Sequence, residues 1–170
     1  MSDIATKARK PLYIFDLDGT LANIEHRLHF IQEPKKDWRA FFAACVDDKP
    51  IWPVIRTLQR LRAGGAEIWI WSGRSDECKA QTVSWLVSHG CLGNNAGNTL
   101  PWWPFGAPER FRMRKAGDHR DDVVVKGEWL SMMDPPEFER LTGVFEDRAR
   151  VVRMWRAAGV PCFQVAEGEF

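Results

Sequence analysis

Residues 12–20 read LYIFDLDGT, and the reading of this stretch decides the fold. Leu12-Tyr13-Ile14-Phe15 is a continuous apolar run that ends on Asp16-Leu17-Asp18-Gly19-Thr20. A short apolar run bounded by a turn signal is the pattern of a buried strand. Two carboxylates one residue apart, away from any helix end that would use them as caps, repel each other unless a cation or a shared reaction compensates. A carboxylate so placed can act as a nucleophile toward phosphorus, and its neighbour can hold or donate a proton. Gly19 permits a sharp turn whose N–H groups can point at phosphate oxygens. The ordinary alternative is a strand running into an Asp-Gly hairpin turn.

Outward from this stretch the same device recurs. Ile68-Trp69-Ile70-Trp71 runs into Ser72-Gly73-Arg74, and Val144-Phe145 runs into Glu146-Asp147-Arg148. Pro161 to Val165 reads as the last strand, and Thr99 to Trp103 as a further candidate. Helical patterns fill the gaps over Pro53–Ala63, Asp76–His89 and Arg148–Ala158, with Lys126 just inside another helix. This alternation predicts an α/β fold, a Rossmann-like open parallel sheet covered on both faces. In such sheets ligands bind outside the carboxyl ends of the strands. Residues 23–50 break the alternation. Their short helical pattern, Asp37 to Val46, predicts a small helical cap inserted after the first strand. Gly90 to Gly106 reads as a second irregular insertion.

A chain of 170 residues fits one domain, 1–170, with the cap inside it. Its 24 Lys+Arg against 23 Asp+Glu leave a formal charge of +1, which excludes binding of long duplex through bulk charge. Any nucleic-acid contact must be local. Nine Trp beside one Tyr predict broad aromatic contacts, in the core or under stacked bases. Trp102, Trp103 and Phe105 followed by Arg110, Arg112, Arg114 and Lys115 form an aromatic-then-basic stretch. It reads either as a grip for a single strand or as a solvated basic loop. His26 and His29 read as cap residues rather than metal ligands. No apolar run has membrane-span length, and Met1 to Lys10 has no signal-peptide core. Cys45, Cys78, Cys91 and Cys162 have neither CxxC nor zinc spacing, so buried reduced thiols are expected. These features predict a soluble intracellular protein with no membrane contact.

The strand ends carry the chemistry. Ser72 and Arg74 supply a hydroxyl donor and a fixed cation suited to phosphate oxygens. Lys126 adds a second cation. Glu146-Asp147 is the natural partner of Asp16 for holding Mg²⁺ through oxygen ligands. Each has an ordinary counterpart: a polar turn, a solvated lysine, acids capping the following helix. All of them in this order, at strand ends of one sheet, point to phosphoryl chemistry.

Asp16-Leu17-Asp18-Gly19-Thr20, Ser72, Lys126 and Glu146-Asp147 resemble the four ordered motifs of the haloacid dehalogenase-like phosphohydrolases. The chain is more similar still to the 3′-phosphatase domain of bacteriophage polynucleotide kinase-phosphatases of the T-even type. Trp71-Ser72-Gly73-Arg74 resembles that domain's Ser-Gly-Arg element, and Asp118 to Lys126 resembles its D-x-R-x-D-D-V-V-K segment. Val151–Trp155 and Gly159–Phe170 resemble its last helix and strand. The resemblance covers most of the chain, but no GxxxxGK[ST] phosphate loop of a kinase accompanies it.

This resemblance implies a Mg²⁺-dependent phosphomonoesterase that removes 3′-phosphate from polynucleotide ends through an aspartyl-phosphate. Asp16 would be the nucleophile and Asp18 the general acid and base, while Ser72 and Lys126 hold the phosphoryl oxygens. Mg²⁺ would sit on the Asp16 carboxylate, the Asp18 backbone carbonyl and Asp147. Glu146, where the phage domain has Asp, would orient the metal shell indirectly. Arg27, Arg74, Arg114, Arg120 and Asp121 match substrate-binding positions. The implied partners are a 3′-phosphorylated DNA or RNA end or a nucleotide, together with a separate kinase or ligase polypeptide. The implied location is cytoplasmic, in the host if phage-encoded. A nucleoside monophosphate phosphatase shares all of this chemistry. A non-catalytic end-binding or partner-binding module is disfavoured by the pairing of Asp16 with Asp18, since a binder needs no proton donor.

Overall fold

The computed structural model describes residues 9–32, 34–92 and 110–168. The chain runs β1 (Leu12–Phe15), β2 (Ala22–Asn23), α1 (Glu25–Gln32), α2 (Trp38–Ala43), β3 (Lys49–Pro50) and α3 (Trp52–Ala63). It continues through β4 (Glu67–Ser75), α4 (Lys79–Ser88), β5 (Phe111–Arg114), α5 (Asp122–Ser131), α6 (Pro135–Glu139), β6 (Leu141–Arg148), α7 (Ala149–Ala157) and β7 (Cys162–Gly168). Five strands form one parallel sheet in the order β5-β4-β1-β6-β7. The LYIF run is apolar at every position because β1 is the central strand and both sheet faces are covered.

Successive side chains of a strand point to opposite faces, and the two cores follow that alternation. Leu12 and Ile14 of β1 join Trp69 and Trp71 of β4 on one face, packed with Val151, Val152 and Trp155 of α7. Phe15 and Ile70 face the other way, onto Ile55 and Leu58 of α3 and Trp85 and Leu86 of α4. Phe15 stacks on Phe145 at 4.3 Å, and Phe145 on Phe163 at 5.0 Å. Trp69, Trp71, Trp85 and Trp155 are therefore core residues. The four cysteines are buried and free, as expected. The register sets Phe15 opposite both Ile70 and Phe145, so Asp16 emerges level with Glu146, and Ser72 follows one residue further along β4.

The insertion is closed at its base by β2 and β3, which pair Ala22 with Pro50 and Asn23 with Lys49. The helical pattern of Asp37 to Val46 becomes α2 followed by a 3₁₀ turn at Ala44–Asp47, with Asp37 capping α2 by accepting from Ala40 N at 2.9 Å. Phe41 is buried against Trp38 and Phe42, giving the cap its own small core.

Three local differences have physical reasons. β4 continues through Ser72-Gly73-Arg74 to Ser75, because these polar side chains find buried partners. The expected helix Asp76–His89 opens with a separate 3₁₀ turn at Asp76–Cys78, which Ser75 caps through Glu77 N. Phe111–Arg114 is edge strand β5 rather than a basic loop. The arginines in it and just before it are engaged locally: Arg110 pairs with Glu67 at 3.0 Å, Arg112 lies 5.2 Å from the Trp71 ring centre, and Arg114 reaches Asp122. Helix α6 has no counterpart in the sequence pattern. Thr99–Trp103 and the aromatic part of the aromatic-basic stretch lie outside the described residues. Among the described residues no helix is long and apolar enough to cross a membrane.

Trp155 is fully buried between α7 and the sheet. Trp155→Ala is expected to cost about 3–5 kcal/mol of stability through the cavity it leaves. Its denaturant midpoint checks this, and a loss below about 1 kcal/mol would contradict the packing described.

Candidate active site

The turn after β1 is tight. The Leu17 carbonyl accepts from the N–H groups of Thr20, Leu21 and Ala22, while Gly19 N donates to Ala22 O at 2.8 Å. Gly19 has φ of +85°, a value that suits glycine. Asp16 N still bonds Phe145 O at 2.9 Å, so Asp16 is fixed at the strand end while Asp18 lies in the turn. Both carboxylates are largely buried, and each has its own set of cations.

Asp16 belongs to the first set. Lys126 of α5 donates to Asp16 Oδ1 at 2.5 Å and to Glu146 Oε2 at 2.7 Å. Glu146 Oε1 accepts from the N–H groups of Asp147 and Arg148, each at 3.2 Å, so both of its oxygens are in use. Asp147 Oδ1 accepts from the Thr20 hydroxyl at 3.3 Å. Asp147 Oδ2 is buried with no hydrogen-bond partner among the described residues. Space has been left around it: a Cβ on Gly19 would stand 2.1 Å from Oδ2, and one on Gly168 would stand 2.0 Å away.

An uncompensated buried carboxylate oxygen is costly, and a cation relieves that cost. Asp16, Glu146 and Asp147 each offer a carboxylate oxygen within 4.8 Å of the others. Three carboxylates outnumber the one ammonium bonded to them, and the nearby Arg148 guanidinium is shared with Asp122. The donor set is all oxygen, so the cluster suits a hard divalent cation. Burial and the Glu146 charge push Asp147 up to about 7. Burial and Glu146 also raise Asp16 well above the carboxylate range, against the opposing pull of Lys126. Burial would lower Lys126, but Asp16 and Glu146 outweigh it and keep the ammonium charged.

Asp18 belongs to the second set. Arg27, from the cap, donates Nη2 to Asp18 Oδ1 at 2.9 Å. Arg74, from β4, donates Nε to Asp18 Oδ1 at 3.1 Å and also reaches it through Nη2. Burial alone would raise Asp18, but the Arg74 and Arg27 guanidiniums dominate and hold it well below the carboxylate range. Both guanidiniums also meet Asp48, at 2.7 and 2.8 Å from Arg27 and 2.6 Å from Arg74. Ser72 is buried beside them, its Oγ accepting from Arg74 N at 3.1 Å. A hydroxyl that accepts this bond keeps its proton for a further acceptor.

The structure thus brings together Asp16, Asp18, Ser72, Lys126, Glu146, Asp147, Arg27 and Arg74. Arg114 joins at one remove, donating to Gly73 O at 2.8 Å and pairing with Asp122. Arg120 and Asp121 sit on the rim and are not brought to this centre. Arg120 pairs with Asp118 and Glu128 at 2.8 and 2.9 Å. Asp121 caps α5 through Val123 N at 2.8 Å and lies 3.5 Å from Arg150. His26 touches Asp48 at 3.0 Å and His29 packs on Phe30, in keeping with their reading as cap residues.

Three residues escape a reading of the sequence alone. Asp122 is buried and accepts from Arg114 and, at 2.9 Å, from Arg148. A signal for it exists: Asp122 and Lys126 are four apart and share a helix face, whereas Asp121 and Lys126 do not. Arg148 has the look of a strand-end charge leading into α7. Asp48 has no local signal, since it reads as a loop acid next to Asp47 and Lys49.

A family model described as polynucleotide kinase PNKP phosphatase domain matches residues 10–170. Among solved structures, a chain in "Structure of the Pnkp1/Rnl/Hen1 RNA repair complex" is 25% identical with a TM-score of 0.71, over 100% of this chain and 48% of that one. A chain in "Structure of Pnkp1/Rnl/Hen1 complex" is 26% identical, also at 0.71, over 95% and 47%. This chain therefore spans about half the length of either. The class C acid phosphatase from Bacillus anthracis, 14% identical with a TM-score of 0.61 over 97% and 70%, shares the fold.

Two outcomes are expected. Mg²⁺ should raise the melting temperature at pH 8 and raise it less at pH 6. Asp147 has a raised pKa, so its burial is costly above about 7 and relieved below, where a proton competes with the cation. Equal shifts at both pH values would contradict the cluster's role as a cation site. Asp122→Asn should lower phosphatase turnover about tenfold or more, and Asp121→Asn by less than about threefold. Steady-state kinetics of the two variants checks the order.

Proposed function

We propose that this chain, which belongs to the polynucleotide kinase PNKP phosphatase domain family, is a Mg²⁺-dependent phosphomonoesterase that removes 3′-phosphate from polynucleotide ends. Phosphatase chemistry comes with the family; the metal, the site roles and the 3′-end substrate are our reading. The observation that carries it is the division of one turn's two carboxylates between two charge environments. Asp16 faces an ammonium and a cluster suited to a cation, and Asp18 faces two guanidiniums.

Asp16 attacks phosphorus, forming an Asp16 carboxylate–phosphorus bond as the bond from phosphorus to the 3′ oxygen breaks. Lys126 holds Oδ1 and so fixes the carboxylate's orientation. Asp18 gives its proton to the leaving 3′ oxygen, then takes one from the water that hydrolyses the aspartyl-phosphate. In the resting site Asp18 is ionised. The arriving phosphate brings negative charge and a proton beside it, which raises its proton affinity, while Arg27 and Arg74 keep the carboxyl group oriented. Ser72 and Lys126 offer donors to the phosphoryl oxygens, which is the positioning and charge neutralisation that phosphoryl transfer requires. Mg²⁺, when bound, supplies charge neutralisation among the carboxylates and polarises the phosphoryl group. Asp16, Asp147 and the Asp18 backbone carbonyl would hold it. Glu146, with both oxygens already in use, orients Lys126 and the 147–148 backbone.

A polynucleotide end is favoured over a free nucleotide by the family and by the similarity to a chain of an RNA repair complex. The two Pnkp1/Rnl/Hen1 complexes also support a kinase or ligase polypeptide as partner. A cytoplasmic setting belongs to the same proposal, and the buried free thiols fit it.

Phosphate release with Mg²⁺ should be measured from 3′-phosphorylated DNA and RNA oligonucleotides and from nucleoside monophosphates, with Asp16→Asn as the blank. Preference for an oligonucleotide by about tenfold or more is expected, with release in the variant at background. Preference for the monophosphates overturns the substrate assignment, and activity in Asp16→Asn overturns the nucleophile. Chelation of the metal should abolish release, and restoring Mg²⁺ should recover it.

A further inference from the structure

Asp48 lies in the cap's return to the body, after the 3₁₀ turn at Ala44–Asp47 and before β3. It is buried, belongs to none of the strand-end motifs, and takes no part in the chemistry above. Yet it grips both sides of the junction. Its Oδ1 accepts from Arg27 Nε at 2.7 Å, and its Oδ2 accepts from Arg27 Nη2 at 2.8 Å and from Arg74 Nη2 at 2.6 Å. Its backbone carbonyl accepts the Trp85 indole N–H of α4 at 2.7 Å. Arg27 belongs to the cap, whereas Arg74 and Trp85 belong to the body.

Charge explains what this does. Two guanidiniums converge on one oxygen of Asp18, and two like charges brought together away from water repel. Asp48 supplies the second anion, so the buried group holds two cations and two anions. Without it, one guanidinium must withdraw. Arg74 keeps a body anchor in Thr82 Oγ1 at 3.2 Å, while the other contacts of Arg27 are with the cap's Phe41, through its carbonyl at 3.3 Å and its ring at 4.2 Å. Arg27 is therefore the one that leaves Asp18.

We propose that Asp48 is a positioning residue that holds the cap's Arg27 and the body's Arg74 together on Asp18. The cap is thereby a part of the reaction centre rather than a cover above it. This proposal rests on the phosphatase reading given above, and its test separates the two.

Steady-state kinetics should be run on a 3′-phosphorylated oligonucleotide and on p-nitrophenyl phosphate, which reports phosphatase chemistry whatever the natural substrate. Asp48→Asn is expected to lower kcat about 30-fold, with KM within about threefold. In an Arg27→Ala background the same change should cost less than about threefold more, because the residue it positions is already gone. A purely structural Asp48 would cost the same factor in both backgrounds, and that result, or wild-type kcat in Asp48→Asn, overturns the proposal. Should Asp48→Asn fail to fold, Arg27→Lys serves instead. A single ammonium cannot span Asp18 and Asp48 as the fork does, so kcat should fall comparably, and wild-type kcat would overturn the proposal. The Trp85 indole ¹H–¹⁵N resonance gives a readout independent of turnover. It should move in Asp48→Asn, or in Arg27→Lys if that variant is the one studied, and an unmoved resonance overturns the junction. A wild-type protein inactive on both substrates sinks the phosphatase reading, while the resonance still decides the role of Asp48.

Discussion

Burial of two carboxylates placed one residue apart at the end of a central strand is the constraint on which the rest of the site depends. Asp16 and Asp18 cannot both be ionised in a dry environment unless each has its own counter-charge. The fold supplies these from opposite directions. Helix α5 brings Lys126 to Asp16 from behind the sheet, while the cap and β4 bring Arg27 and Arg74 to Asp18. Central placement of β1 makes this arrangement attainable, since it sets the ends of β4 and β6 on either side of the turn that carries both carboxylates. The separation of roles between two otherwise identical side chains follows from their surroundings, as differing environments push their proton affinities apart.

The same reasoning ties the cation cluster to the backbone. Asp147 presents an oxygen with no partner among the described residues, in a space kept open by Gly19 on one side and Gly168 on the other. Gly19 thus serves twice, allowing the sharp turn and leaving room for the Asp147 carboxylate. Glu146 does different work from its neighbour. Its two oxygens tie Lys126 to the start of α7, which fixes the ammonium against Asp16. Adjacent acids in one motif therefore divide between holding the protein together and facing the reaction.

Much of this is legible in the sequence because apolar runs ending in charged residues form a distinctive pattern. LYIF, IWIW and VF mark the three central strands, and their terminal residues mark the strand-end chemistry. What escapes is local pattern overridden by tertiary partners. Strand β5 alternates Phe and Met with Arg, so its charges suggest a loop until Trp71 and Asp122 are seen to engage them. Register with a motif favours Asp121 over Asp122, although helix periodicity makes Asp122 the neighbour of Lys126. Asp48 is beyond reach, because its importance comes from two arginines 21 and 26 positions away in sequence.

The proposed mechanism stands or falls on whether Asp16 carries the phosphoryl group between two chemical steps. The most direct measurement is rapid acid quenching of the protein during turnover of a ³²P-labelled 3′-phosphorylated oligonucleotide, followed by peptide mapping. Acid-stable label is expected on the peptide containing Asp16 before steady state is reached, and none on the Asp16→Asn protein. Phosphate release with no labelled protein at any quench time, or label on a different residue, would contradict the mechanism.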